Sequence, residues 1–301
     1  MKAHRAGVVA LLGLPNAGKS SLLNRLLGRK LAIVSGRPQT TRGRLLGVVT
    51  RPDAQVLLVD TPGVHSGGHA LHQAMHQVVS EVADDCDVAL LVVAPEQGVP
   101  PALAELHARL AARGVPVLLV GSKADTGAWR ASADTGAWRG DAWPPALAPA
   151  PAEALRVSAR TGEGVEALLD AVVARLPEAP RYYEEDALTD RSLRWLAAEL
   201  VREAAFEALH EEVPYAVGVE VLRFDESRPD LVHIDANVVV ERASQKKIVI
   251  GAGGEMVKRI GTAARREIER LLGTRVHLAL WVKVEPHWTR RRERVSELGY
   301  G

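Results

Sequence analysis

The stretch "GLPNAGKS", residues 13–20, sets a lysine and a hydroxyl at the end of a glycine-bounded loop. It fits G-x-x-x-x-G-K-[ST], follows an apolar run and opens a helical pattern, the context in which such a loop grips phosphate. Backbone N–H groups in the loop point at phosphate oxygens, and the helix N-terminus adds its positive dipole end. Lys19 is expected to reach the terminal phosphates and Ser20 to ligate Mg²⁺, with Gly13, Asn16, Ala17, Gly18 and Ser21 completing the cradle. Further on, "VLLVDTPG" ends a strand-like run in Asp60, placed to hold Mg²⁺ through water, and Gly63 offers a backbone N–H to a γ-phosphate. Between them lies "RPQTTRG", where Thr40 or Thr41 could complete the metal shell.

The base is read elsewhere. "VLLVGSKAD" ends in Ser122-Lys123-Ala124-Asp125. A carboxylate there can accept from both the ring N–H and the exocyclic amine of guanine, a donor pair that adenine lacks. Asp125 is therefore expected to select GTP over ATP. "VSAR", with Ser158, Ala159 and Arg160, ends another strand where backbone N–H groups could meet guanine O6.

A second glycine cluster stands in "IVIGAGGEMVKRIG", residues 248–261: a strand-like apolar run, a turn, then a basic helical pattern. It lacks the G-K-[ST] that would place lysine and Mg²⁺ on a triphosphate. It matches the KH pattern, in which a GxxG turn clamps about four nucleotides of single-stranded backbone. Gly251, Ala252, Gly253 and Gly254 would let the sugar-phosphate chain approach, and Lys246, Lys247, Lys258 and Arg259 would supply charge. Val249, Ile250, Val257 and Ile260 read first as core. "HWTRRRERVSELGY" could extend the contact or form a solvated basic tail.

The elements that must carry these residues alternate. Strand-like runs at 8–12, 44–50, 55–60, 87–94, 115–122 and 154–158 are separated by helical stretches at 19–27, 71–84, 102–113 and 165–176. Such alternation predicts an α/β domain with a mostly parallel sheet. "LPEAPRYYEEDALTDRS" interrupts it with two prolines and an acidic cluster, which puts a linker at 178–188 between domains at 1–177 and 189–301. Asp190 is expected to cap a helix running to about His210. Strands at 215–223 and 231–240, the glycine turn, a helix at 255–272 and a strand at 275–284 make the second domain a small α/β unit. "ADTGAWR" occurs twice, nine residues apart, which reads as duplication in a tolerant surface loop before it reads as a functional use of the segment's three tryptophans, Trp129, Trp138 and Trp143.

Composition agrees with a globular chain: 301 residues, 47% hydrophobic and 25% charged. One cysteine, Cys86, excludes an intrachain disulfide, and the N-terminus lacks a secretory pattern, so a cytosolic location is expected. Charge is polarised. Residues 241–301 hold 14 Lys+Arg against 7 Glu, while the first 240 hold 24 against 30 acids, which points to a polyanion partner at the basic end.

With "GLPNAGKSSLLNRLLG", "PQTTR", "DTPGVH" and "QKKIVIGAGGEMVKRIG" in this order, the chain resembles the Era family of bacterial GTPases. The resemblance implies a P-loop GTPase domain followed by a type II KH domain, GTP/GDP with Mg²⁺, binding to the 3′ end of small-subunit ribosomal RNA and a role in 30S assembly. It implies a monomer, ribosome-associated in the cytoplasm, and leaves room for peripheral contact with the inner face of the cell membrane. By the same resemblance Ile250 joins the RNA groove, and Asn16 helps hold K⁺ beside the phosphates. Hydrolysis would then rest on Lys19, Asn16, Thr41 and Gly63. Two departures stand out. Ser122 replaces the family's asparagine, losing an amide that touches the base, and an Ala/Pro-rich segment follows Asp125 where a regular helix would be expected. Separately, Val64 stands where many GTPases carry a water-orienting glutamine. His65 reads as an exposed loop residue before a general base. Two rivals remain at this level: an RNA-binding module with a vestigial nucleotide domain, and an ATP-dependent kinase or ATPase, which Asp125 opposes.

Overall fold

The computed structural model describes residues 3–35, 37, 40–64, 70–127, 129 and 143–300. His65, Trp138, the second "ADTGAWR" copy and Pro38-Gln39 lie outside the described residues. Two compact units are present: residues 1–32, 36–66 and 75–190, and residues 33–35, 67–74 and 191–301.

The first unit is built on six strands: β1 (Arg5–Gly13), β2 (Leu45–Thr50), β3 (Ala54–Asp60), β4 (Val88–Val93), β5 (Val117–Gly121) and β6 (Glu153–Arg156). Their order is β2-β3-β1-β4-β5-β6. Only β2 runs antiparallel to its neighbour; every other pairing is parallel. Strands β3, β4 and β5 are buried along their whole length, the continuous apolar pattern of strands covered on both faces. Helices α1 (Lys19–Leu27), α2 (Ala70–Asp85), α3 (Pro101–Ala112) and α4 (Val165–Val173) fall between the strands. Val78, Val82, Leu103 and Leu110 from α2 and α3 pack against Leu91 and Leu119 of the sheet. The register pairs Leu11 with Asp60, Gly13 with Val92, and Gly121 with both Val93 and Arg156. The carboxyl ends of these parallel strands therefore finish at one edge, where ligands of open α/β sheets bind.

The proline-rich, acidic stretch before residue 190 packs on this unit. Gln55 is fully buried, and its carbonyl accepts from the N–H groups of Tyr182 (2.8 Å) and Tyr183 (2.9 Å) while its amide donates to Tyr183 O (2.9 Å). Val48 N donates to Leu188 O at 2.9 Å.

The second unit contains α5 (Leu193–Ala208), β7 (Gly218–Arg228), β8 (Leu231–Val240), α6 (Ala243–Ile250), α7 (Glu255–Leu272), β9 (Arg275–Val284) and α8 (Arg292–Glu297). Its sheet has the order β7-β8-β9, antiparallel then parallel. Ile234, Ala236 and Val238 of β8 meet Val201 of α5 and Ile260, Ala264 and Ile268 of α7.

Three expectations are corrected here. Residues 248–250, read as strand-like, form the last turn of helix α6. The helix wins because Gln245 Oε1, at the third helical position, accepts from the N–H groups of Glu241 and Arg242, both at 3.0 Å, and so satisfies two backbone donors at its N-terminus. Helix α5 is capped by Ser192, whose hydroxyl accepts from Trp195 N at 3.3 Å; Asp190 instead accepts from the Arg44 guanidinium at 3.3 Å. The C-terminal segment is neither an open tail nor wholly solvated: Trp288 and Tyr300 are buried, and Trp288 Nε1 donates to Ala216 O at 2.9 Å. Its apolar residues, spaced through a basic sequence, close over the start of β7, where Gly218 leaves room for the Trp288 ring.

Candidate nucleotide site and glycine turn

The loop between β1 and α1 is shaped by close backbone approaches. A Cβ on Gly13 would lie 2.3 Å from Val92 O of β4, so only glycine lets the loop leave the sheet there. Gly63 is held the same way, since a Cβ on it would lie 2.4 Å from Pro15 N. Val64 N donates to Gly13 O at 3.1 Å, and Thr61 Oγ1 donates to Leu11 O at 2.7 Å. These bonds strap the segment after β3 onto the glycine loop.

Lys19, Ser20, Thr41 and Asp60 are thereby brought together. Ser20 Oγ donates to Asp60 Oδ2 at 2.6 Å, and Thr41 Oγ1 lies 2.9 Å from Ser20 Oγ and 3.3 Å from Asp60 Oδ2. Of the two candidate threonines, Thr41 brings its hydroxyl to this cluster. Lys19 Nζ donates to Gly13 O (3.1 Å) and Leu14 O (2.9 Å). Burial lowers the Lys19 ammonium to about 8, with Asp60 partly offsetting it. Burial raises Asp60 from the ordinary carboxylate range, against the pull of Lys19, the Ser20 and Thr41 hydroxyls and the Thr61 N–H. Ala17 is buried, Ser21 lies one residue further along α1, and Asn16 is exposed with a left-handed φ of 61°.

At the end of β5, Lys123 adopts a φ of 57°, and its ammonium pairs with Glu96. A 3₁₀ turn at Ala124–Thr126 carries Asp125. Asp125 Oδ1 accepts from Ser158 Oγ at 2.5 Å, and Oδ2 accepts from Arg160 Nε at 2.7 Å. The Ser158 hydroxyl, followed by Arg160, holds Asp125 below its ordinary range. Both oxygens thus face donors, and Ala159 sits between the two residues that supply them. Ser122 is buried, and among the described residues its Oγ has no hydrogen-bond partner. The serine hydroxyl does not tie β5 to the glycine loop, although Gly18 faces it: a Cβ on Gly18 would lie 3.5 Å from Ser122 Oγ.

In the second unit, Gly251, Gly253 and Gly254 all take positive φ, at 75°, 57° and 82°. A Cβ on Gly251 would lie 2.7 Å from Met256 Cβ, whereas Gly253 and Gly254 open onto empty space. Ala252 and Gly253 form the exposed tip, and Lys247 and Lys258 are exposed on either side of it, on α6 and α7. Lys246 and Ile250 are half-buried. Arg259 is already engaged, donating to Ala208 O at 2.8 Å and so closing the C-terminal end of α5. Val249 and Ile260 are core. Ile248 is 49% exposed on α6 beside the turn. A strand pattern at 248–250 gives Ile248 no such exposure; Gln245 at the third helical position is the signal for the helix that does.

Comparison with known proteins follows this division. A family described as "50S ribosome-binding GTPase" matches residues 8–123, and the KH domain family matches residues 212–289. GTPase Era of Geotalea uraniireducens is 43% identical over 301 residues, covering 99% of both chains. The chain belongs to the Era family of GTPases. GTPase Era of Geobacter metallireducens is 42% identical over 297 residues. A solved structure of Era in complex with MgGDPNP and nucleotides 1506–1542 of 16S ribosomal RNA aligns with TM-score 0.88 at 34% identity, over 99% of each chain. An Aquifex aeolicus Era variant bound to GDP·AlF4⁻ aligns equally well. As in its relatives, this Era-family chain joins a GTPase domain with a mostly parallel sheet to a KH domain.

Proposed function

We propose that this chain is a GTP-hydrolysing switch that holds the 3′ end of small-subunit ribosomal RNA in its KH domain and assists 30S assembly. The observation that carries the reading is the convergence of Lys19, Ser20, Thr41 and Asp60 at the carboxyl edge of a sheet, in a chain similar over its whole length to Era proteins. The Era structure with MgGDPNP and 16S RNA supports the nucleotide, the metal and the RNA.

Mg²⁺ suits the oxygen cluster. Asp60 Oδ1 is buried without a hydrogen-bond partner among the described residues, and the Ser20 and Thr41 hydroxyls stand beside Oδ2. Hard oxygen donors with room for water are what this cation takes. Ser20, Thr41 and Asp60 would hold it, and bound there it would neutralise charge on the β- and γ-phosphate oxygens.

Lys19 binds the terminal phosphates as a cation, exchanging its two carbonyl partners for phosphate oxygens. The Gly63 N–H meets the γ-phosphate. Phosphoryl transfer has little covalent chemistry for a protein to perform, so positioning and charge carry it. Val64 orients no water: its N–H is bound to Gly13 O and its side chain packs against the core. Catalytic charge must come from elsewhere, and we assign it to K⁺ held with the help of Asn16, exposed on the loop. Asp125 reads guanine once Arg160 yields Oδ2, with Ser158 holding the other oxygen.

The Gly251–Gly254 turn clamps RNA backbone between Lys247 and Lys258, with Lys246 adding charge behind it. The protein acts as a monomer on the ribosome in the cytoplasm. Two measurements test the reading together. Turnover should require GTP and Mg²⁺ and be absent with ATP, and single-stranded RNA of the small-subunit 3′ end should bind more tightly than the same RNA closed in a duplex. ATP turnover equal to GTP turnover, or preference for the duplex, would overturn it.

A further inference from the structure

Ser122 stands at the exit of β5, three residues before Asp125, and its hydroxyl ties it to nothing among the described residues. Its backbone is nonetheless held on both sides. Ser122 N donates to Val93 O at 2.9 Å, and Ser122 O accepts from the indole Nε1 of Trp129 at 2.7 Å. The donor is well placed to matter. Trp129 is only 9% exposed and packs into the core of the first unit. Trp143 meets it in an edge-to-face contact with ring centroids 4.6 Å apart. Trp143 in turn lies over Gly121, where a Cβ would come 2.8 Å from the indole, so the neighbouring residue must be glycine for the ring to seat. A buried carbonyl bonded to a buried N–H is costly to leave unpaired, and an aromatic pair fixes the donor's direction.

From these contacts we infer that Trp129 is a positioning residue for guanine recognition, pinning the Ser122 carbonyl so that the turn after it presents Asp125 to the base. Trp129, in the first "ADTGAWR" copy, and Trp143 beyond the repeat thus have a use: they brace the end of β5. Lys123 makes that brace consequential. It sits at a left-handed φ of 57°, a conformation that a non-glycine residue holds only when both flanks are fixed. On one flank is the Ser122 carbonyl; on the other, Ala124 N donates to Val157 O at 3.0 Å. Releasing the first flank lets Asp125 drift from Ser158 and from the plane of a bound base.

The inference rests on the GTP reading above, and the experiment separates the two. Binding of GDP, IDP and ADP is measured by calorimetry for wild type, Trp129→Phe and Asp125→Ala, with melting followed in parallel. IDP lacks the exocyclic amine, so the GDP/IDP ratio reports how well Asp125 meets both donors. Trp129→Phe keeps an aromatic ring at the buried position, with some loss of packing against Trp143, and removes the N–H. It should weaken GDP about three- to tenfold, the worth of one buried hydrogen bond, and lower the GDP/IDP ratio toward that of Asp125→Ala. ADP binding should not change. Trp143→Phe, which loosens the ring contact but leaves the N–H, should shift the ratio in the same direction by less, and it serves if Trp129→Phe does not fold. Unchanged GDP affinity and ratio in Trp129→Phe would overturn the inference. So would equal losses for GDP, IDP and ADP with a lowered melting point, since that is packing alone. A wild type that binds ADP as tightly as GDP would instead overturn the GTP reading itself.

Discussion

Thr41 reaches Ser20: their hydroxyl oxygens lie 2.9 Å apart, and both converge on Asp60 Oδ2 although the three residues come from three separate segments. If that triangle is a metal shell, Ser20→Ala should raise the Mg²⁺ concentration for half-maximal GTP turnover about 10–100-fold. Thr41→Ala should lower turnover, and Thr41→Ser should restore most of it because the hydroxyl returns. A Mg²⁺ titration of the three variants decides this; an unshifted midpoint in Ser20→Ala would remove Ser20 from the shell.

Lys19 titrates at about 8 rather than the ordinary 10.5, because burial disfavours its charge. Its unfolded form therefore holds more protons between those two values, and by linkage stability attributable to Lys19 rises with pH across that window. Phosphate binding has the opposite sign, since only the ammonium binds phosphate well. GDP affinity measured without Mg²⁺ should fall as pH rises past 8, by about tenfold at pH 9. Lys19→Arg should bind more weakly at pH 7 but show no such fall, because guanidinium does not titrate there.

Arg160 Nε donates to Asp125 Oδ2, an oxygen that guanine would need in the proposed reading. The arginine side chain is largely exposed, so the ion pair itself contributes little. Arg160→Ala should therefore leave the melting point unchanged and tighten GDP binding by a small factor, about two- to fivefold. Asp125→Asn should shift preference toward xanthine nucleotides, whose carbonyl accepts from the new amide. Competition binding with GDP and XDP reads both variants.

The glycines of the Gly251–Gly254 turn are not equivalent. Gly251→Ala forces a Cβ against Met256 at a φ of 75° and ψ of 172°, and should destabilise the second domain by about 2–3 kcal/mol. Ala252→Asp adds a carboxylate at an exposed position with ordinary backbone, so folding should survive while RNA binding drops. Lys258→Ala should flatten the dependence of log affinity on log salt by about 0.7 if its ammonium meets a phosphate. Thermal melts and salt-dependent RNA titrations separate fold from contact.

Trp288 is wholly buried and hydrogen-bonded to Ala216 O. Trp288→Ala should cost about 3–5 kcal/mol, enough to unfold a marginal domain at growth temperature. Arg292→Ala, on the exposed side of the same segment, should leave the melting point within about 0.5 kcal/mol of wild type. Chemical denaturation of the two variants distinguishes a structural segment from a solvated one.

Much of this was legible from the chain alone because it depends on residues close in sequence. The phosphate loop is one strand, one turn and one helix start, so "GLPNAGKS" carries its whole geometry, and the fully apolar runs of β3, β4 and β5 announce strands buried on two faces. Short apolar runs are ambiguous by nature. "IVI" at 248–250 reads equally as strand or helix, and the arbiter is Gln245, whose bonds to Glu241 and Arg242 exist only once the helix has formed. Tertiary structure alone chose Thr41 over Thr40, turned Arg259 toward the end of α5, and sank Trp288 and Tyr300 beneath a basic segment. It also placed Trp129 on the Ser122 carbonyl, a contact that the six intervening residues do not specify. Each of these is a choice among partners distant along the chain, made by which groups the packed core leaves room for and which buried polar atoms must be paired.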